Sequence, residues 1–409
     1  VASSSADVRR LGTLLVVLIV ASIAVVFAQA PQPTFRTTAD LLVVETQVVD
    51  ADGRPLPNLG PSDFRVKVGG RERAVASATL VRYTSGTEGL TSPSASEAPS
   101  TLTPEVRPAG RIFVIAVDEY SFRDNQILPQ LQETRGWLDR LQPEDQVALY
   151  GFPTGRTLVN LTQDRDVIRR ALTPDLAGYP VPRGNFNLSA SEIIDLTAGD
   201  SQVHSMVMAR ECSAMDRTCG TAIAAEAKAL ATEHQVRADK SLQSLRDLFR
   251  SLAPLPGRKT VILLSGGMLD ADRVGGRPSI NRRASEAGRD AALANATLYV
   301  IHRDDHLQDG MSATRGRGAR ALNVRDTSQM RAGLEFLAGA ANGHLINVSA
   351  GTSDDAFSRV LRETSAYYIL GVDIAPADRD GKTHFIEVRV PGLKASVRHR
   401  TTMLIPKPR

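Results

Sequence analysis

The five residues that follow one apolar run carry the most chemistry in this chain. Arg111–Val117 reads RIFVIAV, and Asp118-Glu119-Tyr120-Ser121-Phe122 comes directly after it. Carboxylates and a hydroxyl at the mouth of a buried strand suit two tasks. They can offer oxygen ligands to a hard cation such as Mg²⁺ or Ca²⁺, which calls for several such donors at about 2.0–2.6 Å. Alternatively, Asp118 can cap the backbone amides at the strand end, and this plainer role is the one expected. A second group lies far downstream. Arg303-Asp304-Asp305-His306 is followed by SATRGRGARALNVRD, which holds Arg315, Arg317, Arg320 and Arg325. Ligands of open α/β sheets bind beyond the carboxyl ends of the strands. This basic loop and Asp118 are therefore expected to share one rim, with Asp118, Glu119, Ser121, Arg315, Arg317 and Arg320 as candidate partner-binding residues. An acidic partner would suit the arginines. The competing reading is a solvated loop, since exposed charge needs no special explanation.

Other patterns fall away on inspection. Leu264–Met268, LSGGM, matches the signature of ATP-binding cassettes, but no Gly-x-x-x-x-Gly-Lys-Ser/Thr is present to cradle phosphates. Gly257-Arg258-Lys259-Thr260 lacks the upstream glycine. No Gly-x-Ser-x-Gly nucleophile elbow occurs, and the seven histidines are scattered without zinc-ligand spacing. No catalytic constellation emerges, so an enzyme is not expected. The net charge of +4 comes from 49 basic and 45 acidic side chains mixed along the chain, with no polybasic block. Nucleic acid is not an expected partner.

The elements that must position these residues fall into two styles. From Phe35 to about Tyr83 the chain reads as short alternating strands with turns at Asp52-Gly53 and Gly69-Gly70. Residues 85–110 are rich in Ser, Thr, Pro and Glu and read as a flexible linker. After Arg111, continuous apolar strands alternate with helical periodicity: strands at 146–152, 158–161, 260–265, 297–302 and 344–348, and helices from Asp164 to Leu172, about Thr221 to Leu252, 284–294 and 328–341. That rhythm implies a mostly parallel sheet with helices on both faces. Residues 179–220 interrupt it and read as a partly helical insertion on the rim. The antiparallel style returns at 367–405, whose strands are expected to complete a small β-sandwich with those near 40–83.

Two features bear on location. Arg9-Arg10 and the uncharged run from Leu11 to Phe27 describe a secretory signal peptide, with cleavage after Ala28 or Ala30. The run is also close to the shortest that spans a bilayer, roughly 17 residues, so an uncleaved anchor competes. Both readings place the remainder outside the cytoplasm, in the periplasm or beyond, with membrane contact only through the N-terminal segment. Cys212 and Cys219 fit such a compartment. In one continuous helix they would stand roughly 10 Å apart, too far to bridge; in a loop a disulfide forms easily.

Several stretches resemble the von Willebrand A (vWA) domain family. DQVALYGFPTGRTLVNLTQDRDVIRRAL resembles its second and third strands and following helix, PLPGRKTVILLSGG its fourth strand, ANATLYVIHRD the next, and FLAGAANGHLINVS the last helix and strand. The flanks FRTTADLLVVETQVVDADGRPLPNLGPSDFRV and SAYYILGVDIAPADRDGKTHFIEVRV look like those of exported bacterial vWA-related proteins. The resemblance implies a Rossmann-like vWA domain over 111–365, with insertion 179–220, set between sandwich halves 31–84 and 366–409, after a leader or anchor at 1–30. It also implies protein binding, in many members through a metal-ion-dependent adhesion site. That site needs Asp-x-Ser-x-Ser, a Thr, and an Asp after the fourth strand. Here Tyr120 and Phe122 fill the serine positions, Ser121 is out of register, and Ser265-Gly266-Gly267 replaces Thr-Asp-Gly. If any metal bound, Asp118 and Ser121 would be its ligands, with Glu119, Asp270 and Asp272 as distant substitutes. No cofactor is expected. The function implied is an extracytoplasmic protein-interaction module with a degenerate adhesion site. The alternatives are an anchored structural or assembly component of the cell envelope, a metal-dependent adhesion protein, and an uncharacterised enzyme.

Overall fold

The computed structural model describes residues 41–83, 110–122, 126–177, 179, 184–213, 215–303, 317–348 and 353–407, with the side chains of 317–323 and 353–354 excepted. The chain divides into a segment up to Leu41 and a compact unit from Leu42 to Arg409; everything below belongs to the second. The leader or anchor reading at 1–30 and nearly all of the 85–110 linker lie outside the described residues. Among the described residues, no helix is long and apolar enough to cross a membrane.

A six-stranded sheet forms the centre. Its strands are β5 (Ile112–Asp118), β6 (Gln146–Phe152), β7 (Arg156–Thr162), β8 (Lys259–Ser265), β9 (Ala296–Arg303) and β10 (His344–Val348), in the order β10-β9-β8-β5-β6-β7. All neighbours run parallel except β6 and β7, which form a hairpin. The uninterrupted apolar run of β5 puts it between β8 and β6, buried on both faces, as such a sequence requires.

Helices cover both faces. On one side α1 (Leu128–Leu138), α2 (Arg165–Ala171) and α8 (Ser353–Glu363) bring Leu131, Trp137, Ile168, Phe357 and Val360 against Phe113, Ile115, Val117, Ile262 and Leu264. On the other, α5 (Cys219–Leu252), α6 (Asn281–Leu293) and α7 (Arg317–Ala340) pack Leu242, Leu245, Phe249, Ala287, Ala291, Leu334 and Leu337 against Val114, Ala116, Val261, Leu263, Leu298 and Val300. The odd and even residues of each strand thus serve opposite cores. The insertion supplies α3 (Ala190–Thr197) and α4 (Ser201–Glu211). One boundary differs from the sequence reading. Helix α7 starts at Arg317, not near 328, so its first turns lack an apolar stripe that periodicity could detect.

Strands from the two ends of the chain make two four-stranded sheets. The first has the order β13-β1-β11-β4, from β1 (Leu42–Val49), β4 (Val75–Arg82), β11 (Ala366–Val372) and β13 (Ser396–His399). The second has the order β14-β12-β2-β3, from β2 (Arg65–Val68), β3 (Arg71–Arg73), β12 (Thr383–Arg389) and β14 (Thr402–Leu404). Their paired strands are antiparallel. Val44, Val48, Phe64, Val66, Tyr368, Leu370, Ile386 and Val388 share one apolar cluster.

Candidate functional site

Asp118 is the last residue of β5, where the parallel strands end. Its side chain is 2% exposed. Ser265 Oγ, at the end of β8, donates to Oδ2 at 3.1 Å, and Ser241 Oγ, from the middle of α5, lies 3.5 Å from Oδ1. The Tyr120 amide donates to Oδ1 at 3.4 Å. Among the described residues, no cation contacts the carboxylate. Burial therefore dominates and pushes the Asp118 pKa up to about 7, against the opposing pull of these hydrogen bonds. The expected capping role is present in the Tyr120 contact, but the two serines hold the group as well.

The loop after Asp118 is pinned from below. Ser121 Oγ donates to the Asp118 carbonyl at 3.0 Å and accepts from the Gly266 amide at 2.8 Å. Gly266 is needed for this approach, because a Cβ there would lie 2.4 Å from the Ser121 carbonyl oxygen. A residue with a carboxylate side chain at 266 would force the two loops apart. Phe122 is 1% exposed and belongs to the apolar core beside α1. Tyr120 stacks edge-on with Tyr179, centroids 4.5 Å apart, while Arg237 lies 5.2 Å over its ring. These rings roof the loop.

Glu119 is equally enclosed, at 1% exposure. It accepts from Arg156 Nη2 at 2.8 Å and from Thr154 Oγ1 at 2.5 Å, both in or beside the β6–β7 hairpin. Gly151 makes room, since a Cβ there would sit 2.6 Å from Glu119 Oε1. Glu119 thus fastens the hairpin to the rim. Of the residues expected on a partner-binding rim, Asp118 and Glu119 are buried, with their polar atoms bonded within the chain.

The donor set also bears on a dication. Asp118 brings one carboxylate, and among the described residues its close companions are hydroxyls and an amide. Among the described residues, no group of three or more His, Cys, Asp or Glu side chains converges to hold an ion. Asp270 instead accepts from the Ile280 amide at 3.0 Å, and Asp272 pairs with Arg325 at 3.2 Å. These residues do not fit the charge that hard dications require to offset dehydration.

Of the basic region only part is described. Arg315 lies outside the described residues. Arg317 and Arg320 fall within α7, and their side chains lie outside them too. Arg325 is engaged: it makes a two-point contact with Asp195 and a second pair with Asp272. Asp195 is buried and also meets Arg273 at 3.1 Å. This network fastens the insertion to α7 and to the loop after β8.

The insertion is built as a rigid platform. Ser189 caps α3 in a reciprocal arrangement with Glu192, and the Asp200 carboxylate caps α4 by accepting from the Gln202 and Val203 amides. Arg210 bonds Glu192 at 2.6 Å. Cys212 ends α4 and Cys219 begins α5, and a disulfide joins them across the intervening turn, Cα atoms 5.8 Å apart. Of the two alternatives open in the sequence, the loop is realised. Met206 and Met215 project outward here at 55% and 93% exposure, and Val274, in the loop after β8 that Arg273 ties to the insertion, does so at 101%. Spacing rules had no access to the pairing of Ser241, Ser265, Thr154 and Arg156 with these carboxylates, since they come from three separate places: the long helix α5, the end of β8 and the β6–β7 hairpin. Ser265 stood out as the first residue of the Ser-Gly-Gly that replaces Thr-Asp-Gly, and Ser241 left a trace as a small polar residue within the buried stripe of α5.

No family model matches this chain, and no curated protein does. Among solved structures, the open conformation of the pilus adhesin SpaC from Lactobacillus rhamnosus GG is similar over 73% of the chain at 9% identity, with a TM-score of 0.28. The chain spans 44% of that adhesin's length, less than half. A likeness of that size carries no argument about fold or partners.

Proposed function

We propose that the chain is an extracytoplasmic protein-interaction module of the vWA type that binds its partner without a metal ion, through the insertion platform. The observation that carries this reading is the exposure of Met206, Met215 and Val274 on a scaffold held by a disulfide and by the Asp195–Arg273–Arg325 network. Exposed methionines adapt to a partner's contour, and a preorganised scaffold loses little freedom on binding. The disulfide supports an oxidising compartment. The vWA assignment rests on the resemblance quoted above together with the central position of β5 and the Asp at its end. The adhesion site of this chain is degenerate in this reading: its carboxylate serves as an internal strut. The partner is a protein, not nucleic acid, and no catalytic step is assigned.

The test is affinity capture from an envelope extract of the source cell, with crosslinking, in EDTA and in Mg²⁺. The wild-type chain should capture the same partner in both. Met206→Asp, Met215→Asp and Val274→Asp combined should abolish capture while circular dichroism and melting stay unchanged. Capture that survives the triple variant, or that EDTA removes, overturns the reading.

A further inference from the structure

The opposite end of the parallel sheet holds a second polar centre, at the seam with the sheet β13-β1-β11-β4. Arg111 enters β5 with its guanidinium bonded to Asp145 at 2.6 and 3.0 Å. Glu363, fully buried at the end of α8, is bonded by Arg398 and by Arg359. Gln47 of β1 donates to the Glu363 carbonyl. Its Oε1 receives Arg258 Nη2 at 3.3 Å. All of these groups have partners.

Arg258 Nη1 does not. It is buried and has no hydrogen-bond partner among the described groups. Arg258 helps line a cavity of about 20 Å³, with Arg111, Thr260, Thr297, Tyr83 and Tyr367 among the other walls. That is room for one water-sized guest, for which roughly 10–15 Å³ suffices. Thr260 and Thr297 are direct partners in the β8–β9 register, so both side chains stand on one face of the sheet and both line the cavity. Their protons are free to rotate toward an acceptor. Tyr83 and Tyr367 are linked through their hydroxyls.

Charge decides which guest fits. Arg111, Arg258, Lys259, Arg398 and Arg400 gather around this seam, against Glu45, Asp145 and Glu363. Glu45 accepts from Asn295 Nδ2 at 2.9 Å, and its charge is shared among Arg258, Lys259 and Arg400. A guanidinium nitrogen left without an acceptor in a desolvated place is unfavourable, and Arg258 Nη1 is such a nitrogen even though Nη2 is bonded to Gln47. Water would accept one hydrogen bond but leave the positive surplus unbalanced. A single monatomic anion answers both needs.

We propose that this cavity binds a halide ion, chloride under ordinary conditions, held by Arg258 Nη1 and the Thr260 and Thr297 hydroxyls. The ion bridges the start of β8 and β9 to the strands contributed by the chain ends, so it should stabilise their union. Thermal melts in sodium chloride and in sodium gluconate at equal ionic strength test this. Chloride at ten times its dissociation constant should raise the midpoint by on the order of 2 °C, with a saturable dose curve. Crystals grown in bromide should give an anomalous peak against Arg258. Arg258→Gln should abolish both effects. Thr297→Val, which removes a donor without touching the charge, should shift the dose curve to higher chloride, and it carries the test if Arg258→Gln does not fold. Coincident melts, or bromide density anywhere but this cavity, mean that water alone fills it and overturn the proposal.

Discussion

Asp118 and Glu363 are both buried carboxyl groups at opposite ends of the same sheet, and their surroundings drive them in opposite directions. At Asp118 the described groups in reach are hydroxyls and one amide, and burial lifts its pKa to about 7. At Glu363 burial pushes the same way, but Arg398 and Arg359 outweigh it and hold the group below the usual carboxylate range. Depth alone does not set the charge of a buried acid; the partner does. One end of the sheet holds an acid near its neutral form under a roof of aromatic rings. The other holds a dense set of ions that joins two layers of the molecule.

The difference can be broken from either side. The largest effect is expected at the seam. Arg398→Met removes the strongest partner of Glu363 and leaves a buried charge, which typically costs about 3–5 kcal/mol. Arg359 remains bonded, so the loss should fall toward the lower figure in urea unfolding. Combining it with Glu363→Gln should recover a large share; no recovery would mean that packing, not charge, holds the seam.

A smaller effect of opposite sense is expected at the rim. Below about pH 4, Asp118 is protonated both folded and unfolded. Between that pH and about 7 the unfolded chain releases the proton while the folded chain keeps it, so stability declines as the pH rises. The decline attributable to this group is on the order of 3–4 kcal/mol. Asp118→Asn should remove that slope and be the more stable protein at pH 8. The hydroxyls of Ser241, Ser265 and Ser121 and the Tyr120 amide are the groups that face or bind this residue. A variant less stable than wild type at pH 8 would show that the carboxylate is ionised and paired by something else. Glu363 acts in reverse, its contribution fading as the pH falls into the acid range.

The smallest effect is a null one. Melts in EDTA and in excess Mg²⁺ should coincide, whereas an ion bound at ~100 times its dissociation constant would add about 2.7 kcal/mol. A rise with metal that Asp118→Ala abolishes would restore the adhesion-site chemistry and remove the contrast between the two ends.

Much of the framework was legible because it is local. The run RIFVIAV demanded a doubly buried strand, and the breakers at Pro254, Pro256 and Gly257 ended α5 close to its observed limit. What escaped was set by distance along the chain. Asp118 meets serines 123 and 147 residues away. No spacing rule pairs such residues. The start of α7 escaped for a different reason: RGARALNV lacks the apolar repeat that marks a helix. Arg325 was read as an open cation because its acidic partners, Asp195 and Asp272, lie in elements that only the fold brings near.

The seam also has a consequence in time. Gln47 bonds Glu363 across 316 residues, and β1 finds its neighbours only in β11 and β13. A ribosome adding roughly 5–20 residues per second needs about 15–60 s between the two. Throughout that interval the newborn β1 lacks both of its sheet neighbours, and Val44 and Val48 have only the early half of their core, Phe64, Val66 and Val68, to pack on. Anything that holds this segment extended until the last strands emerge, whether a chaperone or a translocation channel, would serve the protein better than early collapse.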